Sequence, residues 1–242
     1  MSQTLTAFIK EYGETPLPQI CVLRGGTINV VAGNLGIRGK PEQVLYRLLR
    51  AYSIGQQLQI VKIPSICIND HYGFIYADGL ATRFLDAFYQ NKTGSIGSMI
   101  LAAKIYFGGF FNSNTFKKIV YTQPVEIQCE DKKINSQSLL NMCTTIQSLP
   151  AGLVNYKIFS KNDYSGKLRG VTFEVEPEKI WWKLPAAFFV KENGIPLYSK
   201  GFGGESITIN GITNYTLDGE LFDNMSSQLS INRGPMVDFI KI

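Results

Sequence analysis

From Ile119 to the C-terminus, apolar residues recur at every second position in short runs, and turn-forming residues separate the runs. A period of two puts alternate side chains on opposite faces of an extended chain, so one face can be buried while the other stays wet. Val125, Ile127 and Cys129 show the pattern, and a turn at Asp131-Lys132-Lys133 follows. Further strands are predicted over residues 138–145, 156–160, 171–175, 205–209, 214–217, 228–232 and 236–240, interrupted by one helix over 178–184 before Pro185. Short strands at this spacing predict an antiparallel sandwich.

The first quarter follows another period. Leu5, Phe8, Ile9 and Tyr12 fall at helical spacing, and Gly13 is a stop. Pro16 and Pro18 introduce a short strand over 19–23, and the turn Arg24-Gly25-Gly26-Thr27 follows. One or two helical turns are expected over 30–35. Pro41 then opens a longer helix with Val44, Leu45, Leu48, Leu49 and Tyr52 on one face. Helix, strand, glycine turn and helix in that order make a piece of a parallel α/β layer. The character changes after Gly55, which divides the chain into residues 1–54 and 55–242. Beyond it, Leu58 and Ile60, then Ile66 and Ile68, alternate as strand residues. Helices are predicted over 77–90, with Leu80, Phe84, Leu85 and Phe88 on one face, and over 95–111. Both are apolar enough to pack on a sheet or wall a pocket.

Composition narrows the class of protein. Apolar residues make up 45% and charged residues 18%, a globular balance. A net charge of +5 over 242 residues is weak evidence for an anionic partner, and no nucleic acid is expected. Cys21, Cys67, Cys129 and Cys143 form no Cys-x-x-Cys pair and sit in apolar or alternating runs, as thiols buried in a reducing cytoplasm would. His71 is the sole histidine, so no zinc site is expected. The N-terminus lacks the basic start and apolar run of a signal peptide. The longest apolar stretch, 98–111, is broken by Lys104 and falls short of the roughly 18 residues that span a bilayer.

Three segments carry chemistry. Leu23-Arg24-Gly25-Gly26-Thr27-Ile28-Asn29 is a glycine turn between a strand and a helix, where backbone N–H groups can approach a phosphate; such a turn is more often only a turn. Asp218-Gly219-Glu220, at a strand end, sets two carboxylates about a glycine. They can hold Mg²⁺ or accept a hydroxyl proton, and Asp-Gly is equally a strong hairpin dipeptide. Asn69-Asp70-His71-Tyr72-Gly73 leaves a strand, and its histidine is either catalytic or an ordinary polar residue.

In order and spacing these segments resemble the diacylglycerol kinase catalytic family, which includes bacterial lipid kinases, sphingosine kinases and ceramide kinases. Gly26, Thr27 and Asn29 match its Gly-Thr-x-Asn-Asp turn, Asn69 and Gly73 its strand-end Asn and following glycine, and Asp218, Gly219 and Glu220 its Asp-Gly-Glu. The resemblance implies an α+β fold: the remnant of an α/β nucleotide-binding layer, then a mainly antiparallel β-sandwich, as in NAD kinases and diacylglycerol kinases. It implies ATP and Mg²⁺ as cofactors and a lipid hydroxyl as acceptor. Asp218 and Glu220 would be the catalytic carboxylates, Gly25, Gly26, Thr27 and Asn29 the nucleotide contacts, and Asn69 and Gly73 the substrate side. Peripheral membrane contact by a cytoplasmic protein follows. A homodimer would be favoured if the strand over 19–23 leaves a bare sheet edge.

The sequence departs from the family in three places. The family's first motif, Gly-Gly-Asp-Gly-Thr, does not occur, and Met1 falls where a residue just past it would stand. The expectation is a start assigned at an internal methionine, or else a truncated chain, with little or no kinase activity from these residues alone. Val30 replaces the second Asp of the glycine turn. Lys167-Leu168-Arg169-Gly170 carries no acid for a structural Mg²⁺, although Asp163 is close. A non-catalytic lipid- or nucleotide-binding module and a kinase acting on NAD remain as alternatives.

Overall fold

Two six-stranded antiparallel sheets account for most of the strand residues. The computed structural model describes residues 1–23, 30–91, 113–130, 132–146, 148–151, 154–157, 166–180, 183 and 197–242. The first sheet runs from β2 (His71–Gly73) through β1 (Gln59–Ile68), β14 (Gln228–Lys241), β11 (Ser206–Asn210) and β4 (Gln123–Cys129) to β5 (Lys132–Ser138). The second runs from β10 (Ser199–Gly204) through β9 (Leu168–Phe173), β6 (Leu140–Thr144), β3 (Ile75–Asp78) and β12 (Asn214–Leu217) to β13 (Glu220–Asp223). A separate hairpin joins β7 (Ser148–Ala151) to β8 (Val154–Lys157).

The alternation in the sequence builds the core between these sheets. Val125, Ile127 and Cys129 point inward from β4 and meet Ile207 and Ile209, Ile66 and Ile68, and Tyr76, Cys143, Leu168 and Leu217 of the other sheet. A buried polar chain crosses the same interior. The Tyr76 hydroxyl donates to Asp78 Oδ2 at 2.5 Å and Asn141 Nδ2 donates to Asp78 Oδ1 at 2.8 Å. Ser138 Oγ donates to Asn141 Oδ1 at 2.9 Å, and Thr172 Oγ1 to Ser138 Oγ at 3.0 Å.

The N-terminal helices lie beside the first sheet. α1 (Ser2–Tyr12) ends, as its sequence predicts, at Gly13 with φ 53°. It packs on β2, where Thr6 Oγ1 accepts the Tyr72 N–H at 2.9 Å, and Leu5 joins Phe74, Val237 and Phe239 in a second cluster. The expected strand over 19–23 is reduced to one parallel bridge, Ile20 to Phe239. α2 (Val30–Asn34) adds Val31 and Ala32 to that cluster, and α3 (Pro41–Ser53) adds Val44.

Several expectations are corrected. The helix predicted from residue 77 starts at Leu80 (α4, Leu80–Asn91), because Ala77 is a central strand residue paired with both Thr216 and Met142. Gly79, at φ 65°, makes the break: a Cβ there would lie 2.6 Å from the Leu139 carbonyl oxygen. Lys132 and Lys133 belong to β5 rather than to a turn, and the predicted strand over 138–145 is the end of β5 plus β6. The two strands predicted over 228–232 and 236–240 are one, β14, irregular where Ser65 faces Gly234 and donates to the Pro235 carbonyl at 3.0 Å. Within the helix predicted over 178–184, a 3₁₀ turn spans Pro177–Lys179, Ile180 and Lys183 are helical, and residues 181, 182 and 184 lie outside the described residues. α3 buries Val44 and Ala51, yet Leu45, Leu49 and Tyr52 of its predicted inner face are 44%, 60% and 59% exposed. The helix over 95–111 and residues 158–165, with Asp163, lie outside the described residues. α5 (Asn114–Ile119), capped by Ser113 Oγ accepting the Phe116 N–H at 3.2 Å, precedes β4.

Candidate active site at the Asp218 turn

β12 and β13 pair through Leu217 and Glu220, which leaves Asp218-Gly219 as a two-residue turn. Both residues are left-handed, at φ 53° and 87°, which is the type I′ geometry that Asp-Gly favours. The hairpin reading of this dipeptide is therefore correct, and it does not exclude the functional one. Asp218 Oδ1 accepts two backbone N–H groups, from Phe74 at 2.9 Å and from Ile75 at 3.0 Å. Its own N–H donates to the Ile75 carbonyl at 2.8 Å. The other carboxylate oxygen, Oδ2, is shielded from solvent and has no hydrogen-bond partner among the described residues. Burial pushes the Asp218 carboxyl up to about 6; the Phe74 and Ile75 N–H groups and the N-terminal ammonium oppose the rise, and Glu220 adds to it.

Glu220 faces the start of α1. Its Oε1 lies 3.4 Å from the Met1 ammonium and 3.4 Å from the Gln3 backbone nitrogen, where the helix dipole favours an anion. Its Oε2 is buried without a partner among the described residues. From α4, the Tyr89 hydroxyl donates to the Gly219 carbonyl at 3.0 Å.

Asn69 and Gly73 flank this turn. Asn69 and Asp70, at φ 47° and 59°, make the β1–β2 hairpin turn, and the Asn69 side chain hydrogen-bonds the Tyr215 hydroxyl on β12. Gly73 lies against the Asp218 strand: a Cβ would come within 2.7 Å of Leu217 Cγ and 3.0 Å of Asp218 Oδ2. His71 is a β2 residue whose ring packs 4.6 Å from that of Phe222, and Phe222 stacks on Tyr215 at 5.3 Å. The fold thus brings Asp218, Glu220, Asn69 and Gly73 into one neighbourhood. Gly25, Gly26, Thr27 and Asn29 lie outside the described residues.

No family model and no curated protein matches the chain. Solved structures do. A diacylglycerol kinase from Bacillus anthracis str. Sterne superposes with a TM-score of 0.59 at 17% identity, over 93% of this chain and 69% of its own. Two further chains of that strain, provisionally assigned to the same class, superpose with TM-scores of 0.58 and 0.60 at 16% and 17% identity, each over 93% of this chain and 70% of its own. The chain has the diacylglycerol kinase fold.

Within this diacylglycerol kinase-like fold, the residues that sequence reasoning missed are those that act through backbone or through distant packing. Phe74 and Ile75 contribute N–H groups, which every non-proline residue has, so no side-chain pattern marks them. Tyr89 reads as one more aromatic residue of an amphipathic helix. Its distinguishing contact, to Gly219, spans 130 residues.

Proposed function

We propose that this chain belongs to an ATP-dependent lipid kinase, in which Asp218 accepts the proton of a lipid hydroxyl as that oxygen attacks the γ-phosphate. The observation that carries the reading is Asp218 Oδ2, a buried carboxylate oxygen without a partner whose twin is fixed by two backbone N–H groups. A fixed base with one free lone pair suits general-base catalysis, and a pKa near 6 leaves it mostly ionised at pH 7.5. Phosphoryl transfer requires positioning and charge neutralisation more than covalent help, and a rigid hairpin tip supplies positioning.

Magnesium fits the residues present. The unpartnered Glu220 Oε2 is the hard donor Mg²⁺ takes, which leaves Asp218 Oδ2 for the proton. No cluster of three or more His, Cys, Asp or Glu among the described residues could hold an ion, so phosphate and water would complete its shell. When bound, Mg²⁺ neutralises charge on the transferred group. Under the same proposal Gly25, Gly26, Thr27 and Asn29 contact the nucleotide, Asn69 and Gly73 lie on the acceptor side, and residues 1–54 and 55–242 act as two lobes. Contact with the bilayer would be peripheral: among the described residues no helix is long and apolar enough to cross a membrane.

One observation favours a second reading. Val30 stands where the resemblance calls for an Asp, as suits a binding module without transfer activity. Transfer from γ-labelled ATP to diacylglycerol, sphingosine and NAD separates the cases, run on this chain and on the chain extended by any in-frame upstream codons. Labelled lipid, lost in Asp218→Asn, supports the kinase reading. Label on NAD alone overturns the lipid acceptor, and no label from either protein leaves the binding module.

A further inference from the structure

The Asp218-Gly219-Glu220 tip is held by three separate parts of the chain. The β2–β3 connection holds Asp218 through the Phe74 and Ile75 N–H groups. The first turn of α1 holds Glu220. Between them, the peptide that follows Gly219 is held from α4 by the Tyr89 hydroxyl at 3.0 Å. Gly219 itself meets no steric wall: a Cβ built on it finds nothing within 4 Å. A peptide at an open, left-handed glycine is easily reoriented, so its direction depends on the hydrogen bond made to it.

We propose that Tyr89 is a positioning residue for the two carboxylates: by fixing the Gly219 carbonyl, it sets how Asp218 Oδ2 and Glu220 Oε2 are presented to one another. The inference rests on the reading of Asp218 and Glu220 as the working pair. It gives α4 a second role. The inner face of the helix packs Leu80, Phe84, Ala87 and Phe88 against Phe116, Ile119, Val175 and Ile180, while its last turn reaches the hairpin tip.

The test uses the full chain, Tyr89→Phe and a control, Thr82→Val. Thr82 Oγ1 donates to the Gly79 carbonyl at 2.9 Å and to Asn214 Oδ1 at 3.2 Å, so its loss loosens the start of α4 without touching Gly219. Tyr89 is half exposed, and removing its hydroxyl leaves the helix packing intact. The side-chain carboxyl ¹³C shifts of Asp218 and Glu220, read at one fixed pH together with the Gly219 carbonyl ¹³C shift, should move in Tyr89→Phe, as the peptide loses its hydrogen bond, and stay unchanged in Thr82→Val. In transfer assays kcat should fall about fivefold with KM for ATP unchanged, the effect of one neutral hydrogen bond. Identical shifts in Tyr89→Phe and the unmodified chain, or an equal change in Thr82→Val, overturn the proposal. If neither this chain nor the chain extended by in-frame upstream codons transfers a phosphoryl group, the lipid kinase reading fails, and the NMR shifts still decide the role of Tyr89.

Discussion

Asp218 Oδ1 lies 2.9 Å from the backbone nitrogen of Phe74, a residue 144 positions earlier in the chain. The bond ties the tip of the β12–β13 hairpin to the connection between β2 and β3, and it leaves Oδ2 free. Asp218→Asn keeps an acceptor for both N–H groups and tolerates the left-handed backbone, but it cannot take a proton. Transfer should fall at least about 100-fold. The melting temperature should stay level or rise, since a buried charge is gone. Parallel transfer assays and thermal melts check this, and a melting temperature that collapses with activity would make the residue structural.

Asp78 predicts an unusual pH response. Burial lifts its carboxyl from 3.8 to about 6, against hydrogen bonds from Tyr76 and Asn141 that favour the anion. A folded pKa above the unfolded one stabilises the protein fully below pH about 4, and that stabilisation is lost as pH rises through about 6. A pKa rise of that size corresponds to about 3 kcal/mol. Asp218 acts in the same direction. Urea denaturation should therefore show stability rising from pH 7.5 to pH 5, with a flatter profile for Asp78→Asn. A fall over that interval would show that the paired anion is the preferred state.

Gly73→Ala tests a close approach. Its Cβ would overlap Leu217 Cγ at 2.7 Å and press on Asp218 Oδ2 at 3.0 Å. Overpacking of this kind costs about 1–3 kcal/mol. The displaced carboxylate should cost more activity than the lost stability explains. Chemical denaturation alongside transfer assays separates the two effects.

α3 should respond to substitution at only part of the apolar face its sequence predicts. Val44 is fully buried and Leu49 is 60% exposed. Val44→Ala should cost about 2 kcal/mol as a core truncation, while Leu49→Glu should change stability by less than about 0.5 kcal/mol. Denaturation midpoints of the two variants decide it.

The β-rich part of the chain was readable because period-two burial is local. Val125, Ile127 and Cys129 are inward in sequence and in space alike. The strands that escaped notice lack that signal: β10 is glycine-rich, and β13 is a short edge strand whose residues are half-buried or exposed. Short apolar runs fit a helix or a strand, so the sequence assigned Ala77 to the wrong element, and pairing with Thr216 and Met142 decided it. At the candidate site, Asp-Gly announced a hairpin, but nothing local revealed which oxygen would be bound and which left free.

Two things were written in the linear order of residues: the alternation that makes a two-sheet core, and the turn chemistry that puts Asp218 at a hairpin tip. Both depend on neighbours a few positions away, which is the range over which backbone geometry acts. The tertiary structure alone decided that the Phe74 and Ile75 N–H groups, the first turn of α1 and the Tyr89 hydroxyl converge on that tip. These contacts join positions 130 to 219 residues apart, and no local period records partners that meet only when both sheets have closed.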